Sequence, residues 1–355
     1  MRDNHINCIM RTIFLIALAF LSFRSQGQQV VNANDGSIEY VGRFDFADPQ
    51  RPAFMYSGSM LRAGFTGTSI TVRLQDDSLR NWYTVKLDDS VFIFKSDKRD
   101  GQYMLARNLR DTKHSIEISR RTEWHGGTTK FNGFVIDNNR KLFSLPKLKR
   151  TIEFVGNSLT CGYGNEGKSR DEHFAYETEN NYHTYGTIVA RAVKANYVAV
   201  CRSGIGMYQS YGGEKEFVQP KLYDEIVVGS KSVWDYKSNQ PDVVVIELGS
   251  NDLAKPLDST AFVNSYIQFV NKIRGQYANA RIICAAGPDG IDEKESKFQS
   301  YVKAVTDYFG PSDKRVYYFY FGRIDSHGSD WHPNLREHEQ MAAVLLPFVK
   351  KVTGW

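Results

Sequence analysis

The stretch Thr151–Thr160 reads TIEFVGNSLT, and it decides how the chain is built. Ile152–Val155 is a largely apolar strand, and Gly156-Asn157-Ser158-Leu159-Thr160 follows it directly. A near-continuous apolar run suits a strand covered on both faces, as in a parallel sheet. A serine three residues past such a strand is held rigidly at the sheet's edge, as a nucleophile must be. Its hydroxyl is weak alone and needs a base.

Similar apolar runs recur downstream at Tyr197–Cys201, Val243–Leu248, Ile282–Ala286 and Val316–Phe321. Helical stripes lie between and after them. Phe262, Tyr266, Phe269, Val270, Ile273 and Tyr277 form one, and Phe298, Tyr301, Val302, Val305 and Tyr308 another. A last helix is expected from about Asn334, a good cap, with Met341, Val344, Leu345 and Phe348 inward. Alternating strands and helices predict a parallel, doubly wound α/β domain over residues 146–355. Such sheets carry their sites outside the carboxyl ends of the strands.

Upstream the pattern differs. The first domain is expected over residues 28–145, and residues 29–140 within it have no helical period, only short alternating strands such as Ser69–Leu74, Trp82–Leu87, Val91–Phe94, Ser115–Ile118 and Phe131–Ile136. Glycine and aspartate turns separate them, which predicts an antiparallel β-sandwich. Leu145–Lys149 is the expected hinge. A length of 355 residues agrees with two domains. Residues 1–27 read as a signal peptide, with Arg2 and Arg11 before the apolar run Thr12–Phe23 and small residues at Ser25-Gln26-Gly27. The run is too short to cross a membrane as a helix. The expected location is therefore periplasmic or secreted. Without that leader the net charge falls from +5 to +3, which gives no argument for nucleic acid. Cys201 and Cys284 sit in or near apolar strands and read as buried thiols, with one disulfide as the alternative; no Cys-x-x-Cys pattern suggests a metal.

Four segments share the expected rim. They are Gly156-Asn157-Ser158, Ser203-Gly204-Ile205-Gly206, Gly249-Ser250-Asn251-Asp252 and Asp330-Trp331-His332-Pro333. Acyl-transfer chemistry then suggests roles. Ser158 attacks a carbonyl carbon, His332 takes and returns the proton, and Asp330 orients the imidazole. The backbone N–H groups of Ser158 and Gly204 and the side-chain amide of Asn251 would stabilise the oxyanion. Gly162–Ser169 (GYGNEGKS) fits the P-loop pattern, but it starts six residues past Gly156, near which the strand ends, and no helical stripe follows it. That reading is rejected, with Glu166 and Lys168 expected on a loop near the cleft.

The four blocks, in this order, resemble the SGNH (GDSL) hydrolases, with Ser158, Gly204, Asn251 and His332 in the four family roles. A closer resemblance is to carbohydrate esterase family 2. Gly156–Gly164 (GNSLTCGYG) and Ser329–Asn334 (SDWHPN) look like its catalytic part. Arg43-Phe44, Ser57-Gly58-Ser59, Phe65-Thr66-Gly67, Trp82–Leu87 and Phe131–Phe134 look like its N-terminal jelly-roll sandwich. The resemblance implies a monomeric serine esterase that removes O-acetyl groups from xylan or glucomannan, with no cofactor, no metal and no membrane or nucleic-acid partner. Alternatives are a general GDSL lipase or thioesterase and a non-catalytic carbohydrate-binding protein. The sequence departs from the family at Asn157, where Asp is usual. Trp331, Tyr208 and Trp234 are candidate sugar-binding aromatics. Gly204–Gly213 (GIGMYQSYGG) is expected to be a mobile lip, because its residues would pack poorly.

Overall fold

The computed structural model describes residues 27–228, 230–290 and 293–355. Apart from Gly27, the expected leader and Cys8 lie outside the described residues.

The N-terminal part is a pair of antiparallel sheets. Its strands are β1 (Gln28–Val31), β2 (Glu39–Val41), β3 (Ala53–Phe54), β4 (Met60–Gly67), β5 (Ile70–Asp76) and β6 (Trp82–Leu87). They continue with β7 (Ser90–Lys95), β8 (Asp100–Ala106), β9 (Thr112–Arg120), β10 (Thr129–Asp137) and β11 (Leu142–Phe143). One sheet has the order β1-β10-β5-β8 with β3 beside β10; the other is β11-β4-β9-β6-β7 with β2 beside β4. Alternation along each strand sends one set of side chains inward. Ile70, Val72 and Leu74 of β5 thus meet Leu61, Ala63 and Phe65 of β4 and Ile116 and Ile118 of β9 in one core.

Segment 144–149 has no regular element and leads into the α/β part. There β12 (Arg150–Gly156), β13 (Ala195–Cys201), β14 (Val243–Glu247), β15 (Arg281–Ala286) and β16 (Val316–Tyr320) form a parallel sheet in the order β13-β12-β14-β15-β16. Its helices are α1 (Ser158–Cys161), α2 (Tyr185–Ala192), α3 (Gln219–Leu222), α4 (Ser259–Gln276), α5 (Glu293–Phe309) and α6 (Leu335–Thr353). The two faces of the strands feed two cores. Val155, Val244, Ile246 and Ile282 pack with Phe262, Tyr266 and Phe269 of α4 and Val302 and Val305 of α5. Phe154, Val243, Val245 and Ile283 pack with Tyr185 and Val189 of α2 and Met341, Leu345 and Val349 of α6. Two covered faces explain the unbroken apolar runs.

Two expected core residues are not inside. Tyr308 and Val344 lie on the margins of their helical stripes and are exposed. Cys161, Cys201 and Cys284 are all free and buried, so no disulfide joins them. No helix among the described residues is long and apolar enough to cross a membrane.

Polar side chains join the two parts. Arg43, fully buried, donates from Nη1 to the Glu225 carbonyl at 3.1 Å, and Arg202 Nη2 donates to Tyr56 Oη at 2.7 Å. Arg121 of the sandwich pairs with Glu166 of the α/β part.

Candidate active site

The nucleophile side is built from regular elements. β12 ends at Gly156, and Asn157 caps the short helix α1, its side-chain oxygen accepting from Leu159 N at 3.0 Å. Its amide nitrogen donates to Ser250 Oγ at 3.0 Å, a bond that an ionised aspartate in its place could not donate. Glu247, the register partner of Gly156 on β14, lies buried below. Burial holds its carboxyl well above the ordinary range, and bonding to Asn157 and Thr160 only partly offsets this. Ser158 is therefore the first residue of a helix pinned to the sheet edge, and Gly162 ends that helix in the left-handed region.

The histidine side is irregular. Pro333 keeps His332 extended (φ −90°, ψ 159°). Before it, Asp330 and Trp331 both have positive φ, 50° and 62°. This double left-handed turn aims two carbonyls at the imidazole. His332 Nδ1 lies 3.2 Å from the Ser329 oxygen and 3.0 Å from the Asp330 oxygen. Two acceptors at Nδ1 require the proton there, so the neutral ring presents the Nε2 lone pair. Nε2 is 2.8 Å from Ser158 Oγ. Burial lowers the pKa of His332; the two carbonyls and the charges of Asp330 and Glu123 oppose that shift only in part.

The expectation for Asp330 needs correction. Its carboxyl does not meet His332. It accepts from Tyr163 Oη and Phe174 N, each at 2.9 Å, and from His173 Nδ1 at 2.9 Å. The left-handed backbone turns the side chain away and brings the carbonyl in. Burial opposes ionisation of this carboxyl, but the bonds from His173, Tyr163 and Phe174 outweigh it and hold the group below its usual range. Tyr163 in turn packs at a tilt against His332, ring centroids 4.2 Å apart, and stacks on Phe174 at 4.3 Å.

The same loop explains the P-loop-like glycines. Ser329 N donates to the Gly164 carbonyl at 3.0 Å, and Asp330 N to the Glu172 carbonyl at 2.9 Å. A Cβ on Gly164 would lie 2.6 Å from Ser329 Cβ, and one on Gly167 would lie 2.7 Å from Ser329 N. These glycines admit the histidine loop. Behind it, Glu337 accepts from Asn334 N, closing the cap of α6, and binds His327 through both its N–H and its ring.

The third side is the loop after β13. Gly204 has φ 76°, a conformation that favours glycine. Among the described residues, neither its N–H nor that of Ser158 has an internal acceptor. Asn251 commits one amide hydrogen to the Ile205 carbonyl at 2.8 Å and keeps the second. The loop is not loosely packed as expected. Ile205 and Met207 are buried, and the N–H groups of Met207, Tyr208 and Gln209 all donate to the Asp252 carboxyl at 2.7–2.9 Å. Burial pushes the pKa of Asp252 up to about 6 despite these bonds.

The three candidate aromatics separate. Trp331 is 64% exposed, so it does not pack beneath the histidine loop; Arg170 lies over its ring at 4.4 Å. With His332, Leu159 and Asp289 it lines a cavity of about 440 Å³. Tyr208 faces Lys215 on a neighbouring groove. Trp234 is buried, donates from Nε1 to Tyr277 Oη at 3.1 Å and belongs to the core, so it offers no face to a sugar. Sequence reasoning missed the contacts made by Tyr163, Asp252 and Glu123. Tyr163 and Asp252 lie inside recognised blocks. Glu123 comes from a sandwich loop and carries no local signal.

Comparison with known proteins bears on the fold and the family. The family model for the carbohydrate esterase 2 N-terminal domain matches residues 40–146, and that of the GDSL-like lipase/acylhydrolase family matches residues 154–336. The solved structure of a family two carbohydrate esterase from Clostridium thermocellum in complex with cellohexaose is 34% identical. It superposes with a TM-score of 0.86 over 90% of this chain and 99% of that one. The cellulase/esterase CelE of Acetivibrio thermocellus is 33% identical over 341 residues, 93% of this chain; the chain spans 41% of its length. An acetylxylan esterase / glucomannan deacetylase of Cellvibrio japonicus is 27% identical over 325 residues, 86% of this chain and 87% of that protein.

Proposed function

The chain belongs to carbohydrate esterase family 2, within the GDSL-like lipases and acylhydrolases, and on that premise we propose that it is a serine esterase that removes O-acetyl groups from plant polysaccharides. The observation that carries the reading is the 2.8 Å approach of His332 Nε2 to Ser158 Oγ, with the other ring nitrogen held by carbonyls. A neutral imidazole so oriented can act only as base toward that hydroxyl.

Ser158 Oγ attacks the acetyl carbonyl carbon as its proton passes to His332. The carbonyl oxygen becomes an oxyanion facing the Ser158 and Gly204 N–H groups and the uncommitted hydrogen of Asn251. Collapse breaks the ester C–O bond, and His332 returns the proton to the departing sugar hydroxyl. A water then attacks acetyl-Ser158, again giving its proton to His332. Acetate leaves and the serine recovers its proton. The two backbone carbonyls stabilise the imidazolium formed in each half-reaction.

The substrate class rests on the relatives named above and on the exposed Trp331 that lines the cavity beside His332. Xylan and glucomannan are the polymers we expect, met outside the cytoplasm after removal of residues 1–27. The test is acetate release from acetylated xylan, acetylated glucomannan and a short-chain lipid ester, compared side by side. Release from either polysaccharide that is lost in Ser158→Ala supports the reading. Activity confined to the lipid ester would replace it with a general lipase.

A further inference from the structure

Glu123 belongs to the N-terminal sandwich, in the loop after β9, yet it is fully buried against the α/β part. Its backbone is fixed on both sides. The carbonyl accepts from Arg120 Nη2 at 3.0 Å and from Gly126 N at 2.9 Å, while the N–H donates to Glu179 Oε2 at 3.1 Å. Its side chain crosses to the other domain. Oε2 accepts the N–H of Ser203 at 2.6 Å and faces Cys161 Sγ at 3.5 Å.

Those two partners are not arbitrary. Ser203 is joined by a peptide bond to Gly204, and Cys161 closes the helix that Ser158 opens. One carboxyl oxygen therefore ties the segment carrying one oxyanion donor to the segment carrying the other. Gly204 is also held from its far side, where its carbonyl accepts from Tyr211 N at 2.9 Å. The left-handed glycine between these two anchors has little freedom to turn its N–H.

We propose that Glu123, supplied by the sandwich, is a positioning residue of the oxyanion hole, setting where the Gly204 N–H points relative to Ser158. This rests on the reading of Ser158 as nucleophile and of Gly204 as oxyanion donor. The sandwich then completes the hydrolase site. A hydrogen-bond donor acts on the transition state only when it meets the position of the developing oxyanion, so misplacing it lowers turnover without weakening substrate binding.

The test uses the full chain, with Glu123→Gln and Glu123→Ala assayed on p-nitrophenyl acetate, and with phenylboronic acid as a mimic of the tetrahedral adduct on Ser158. Gln has the same shape and can still accept from Ser203. Ala leaves that buried N–H without an acceptor. We expect kcat to fall in the order parent, Gln, Ala, by about 3- to 10-fold and about 10- to 100-fold, with KM within about twofold and boronate affinity falling in step with kcat. Glu123→Gln decides the matter if the alanine variant does not fold. Unchanged kcat in a folded variant would overturn the proposal, as would a loss of kcat with boronate affinity retained. Activity surviving in Ser158→Ala would instead overturn the underlying reading.

Discussion

The two sides of the site, the serine elbow at 156–162 and the histidine loop at 327–334, meet at 2.8 Å but are held by different means. The elbow is a strand end, a capping asparagine, one turn of helix and a left-handed glycine, each a local consequence of neighbouring residues. The histidine loop contains two consecutive non-glycine residues at positive φ. Such conformations cost about 1–3 kcal/mol each and persist only when the surroundings over-determine them. Here the surroundings are the backbone of residues 164–172, the Asp330 carboxyl with its three partners, and the Glu337 brace. The nucleophile is placed by secondary structure and the base by tertiary contact.

This contrast can be broken on either side. The largest effect is expected on the serine side, where Ser158→Ala should lower kcat by about 10⁴- to 10⁶-fold with an unchanged circular dichroism spectrum. A variant that keeps more than a tenth of the activity would remove the elbow from the chemistry. On the other side, Gly167→Ala touches neither reacting residue. Its Cβ would press on Ser329 N and on the Gly164 carbonyl, at 2.7 and 3.0 Å. Overpacking of this kind costs about 1–3 kcal/mol, read from denaturant midpoints. We expect kcat to fall at least tenfold as the imidazole is displaced. Full activity would mean that the histidine does not depend on that packing.

The pH profile gives a smaller effect. Burial favours the neutral ring of His332, so the base is protonated at lower pH than an ordinary imidazole. The acid limb of kcat/KM should have its midpoint below about 6.5, and activity should decline only as the pH falls through that lower value. A midpoint above about 7 would mean that the carbonyls and charges outweigh desolvation.

Legibility followed the same division. Apolar runs, helical stripes and caps gave the sheet, the helices and the position of Ser158, because strand burial and capping are written in adjacent residues. The His332 block could be found for its residue types and its place before a helix cap. Which atom of Asp330 would serve the ring could not, because that depends on backbone handedness imposed by a loop some 160 residues away. The usual sense of an Asp-x-His pair therefore misled. Trp234 misled for a related reason, since an aromatic residue carries no mark of which way it faces. Tyr163 and Asp252 lay inside recognised blocks but act through contacts that spacing does not reveal. The motif Gly162–Ser169 looked like a phosphate cradle, and its glycines are there to let another loop approach.

The smallest effect is the most decisive. Asp330→Asn keeps the shape of the side chain and the main-chain carbonyl that faces His332; it removes the charge and turns one acceptor oxygen into a donor, which the exposed side facing His173 can take while the amide oxygen still accepts from Tyr163 and Phe174. If carbonyls orient the base, kcat/KM on an acetyl ester should fall by less than about tenfold. A drop of about 10⁴-fold, the size expected when a true triad carboxylate is replaced by its amide, would contradict orientation by the carbonyls and restore Asp330 as the orienting acid.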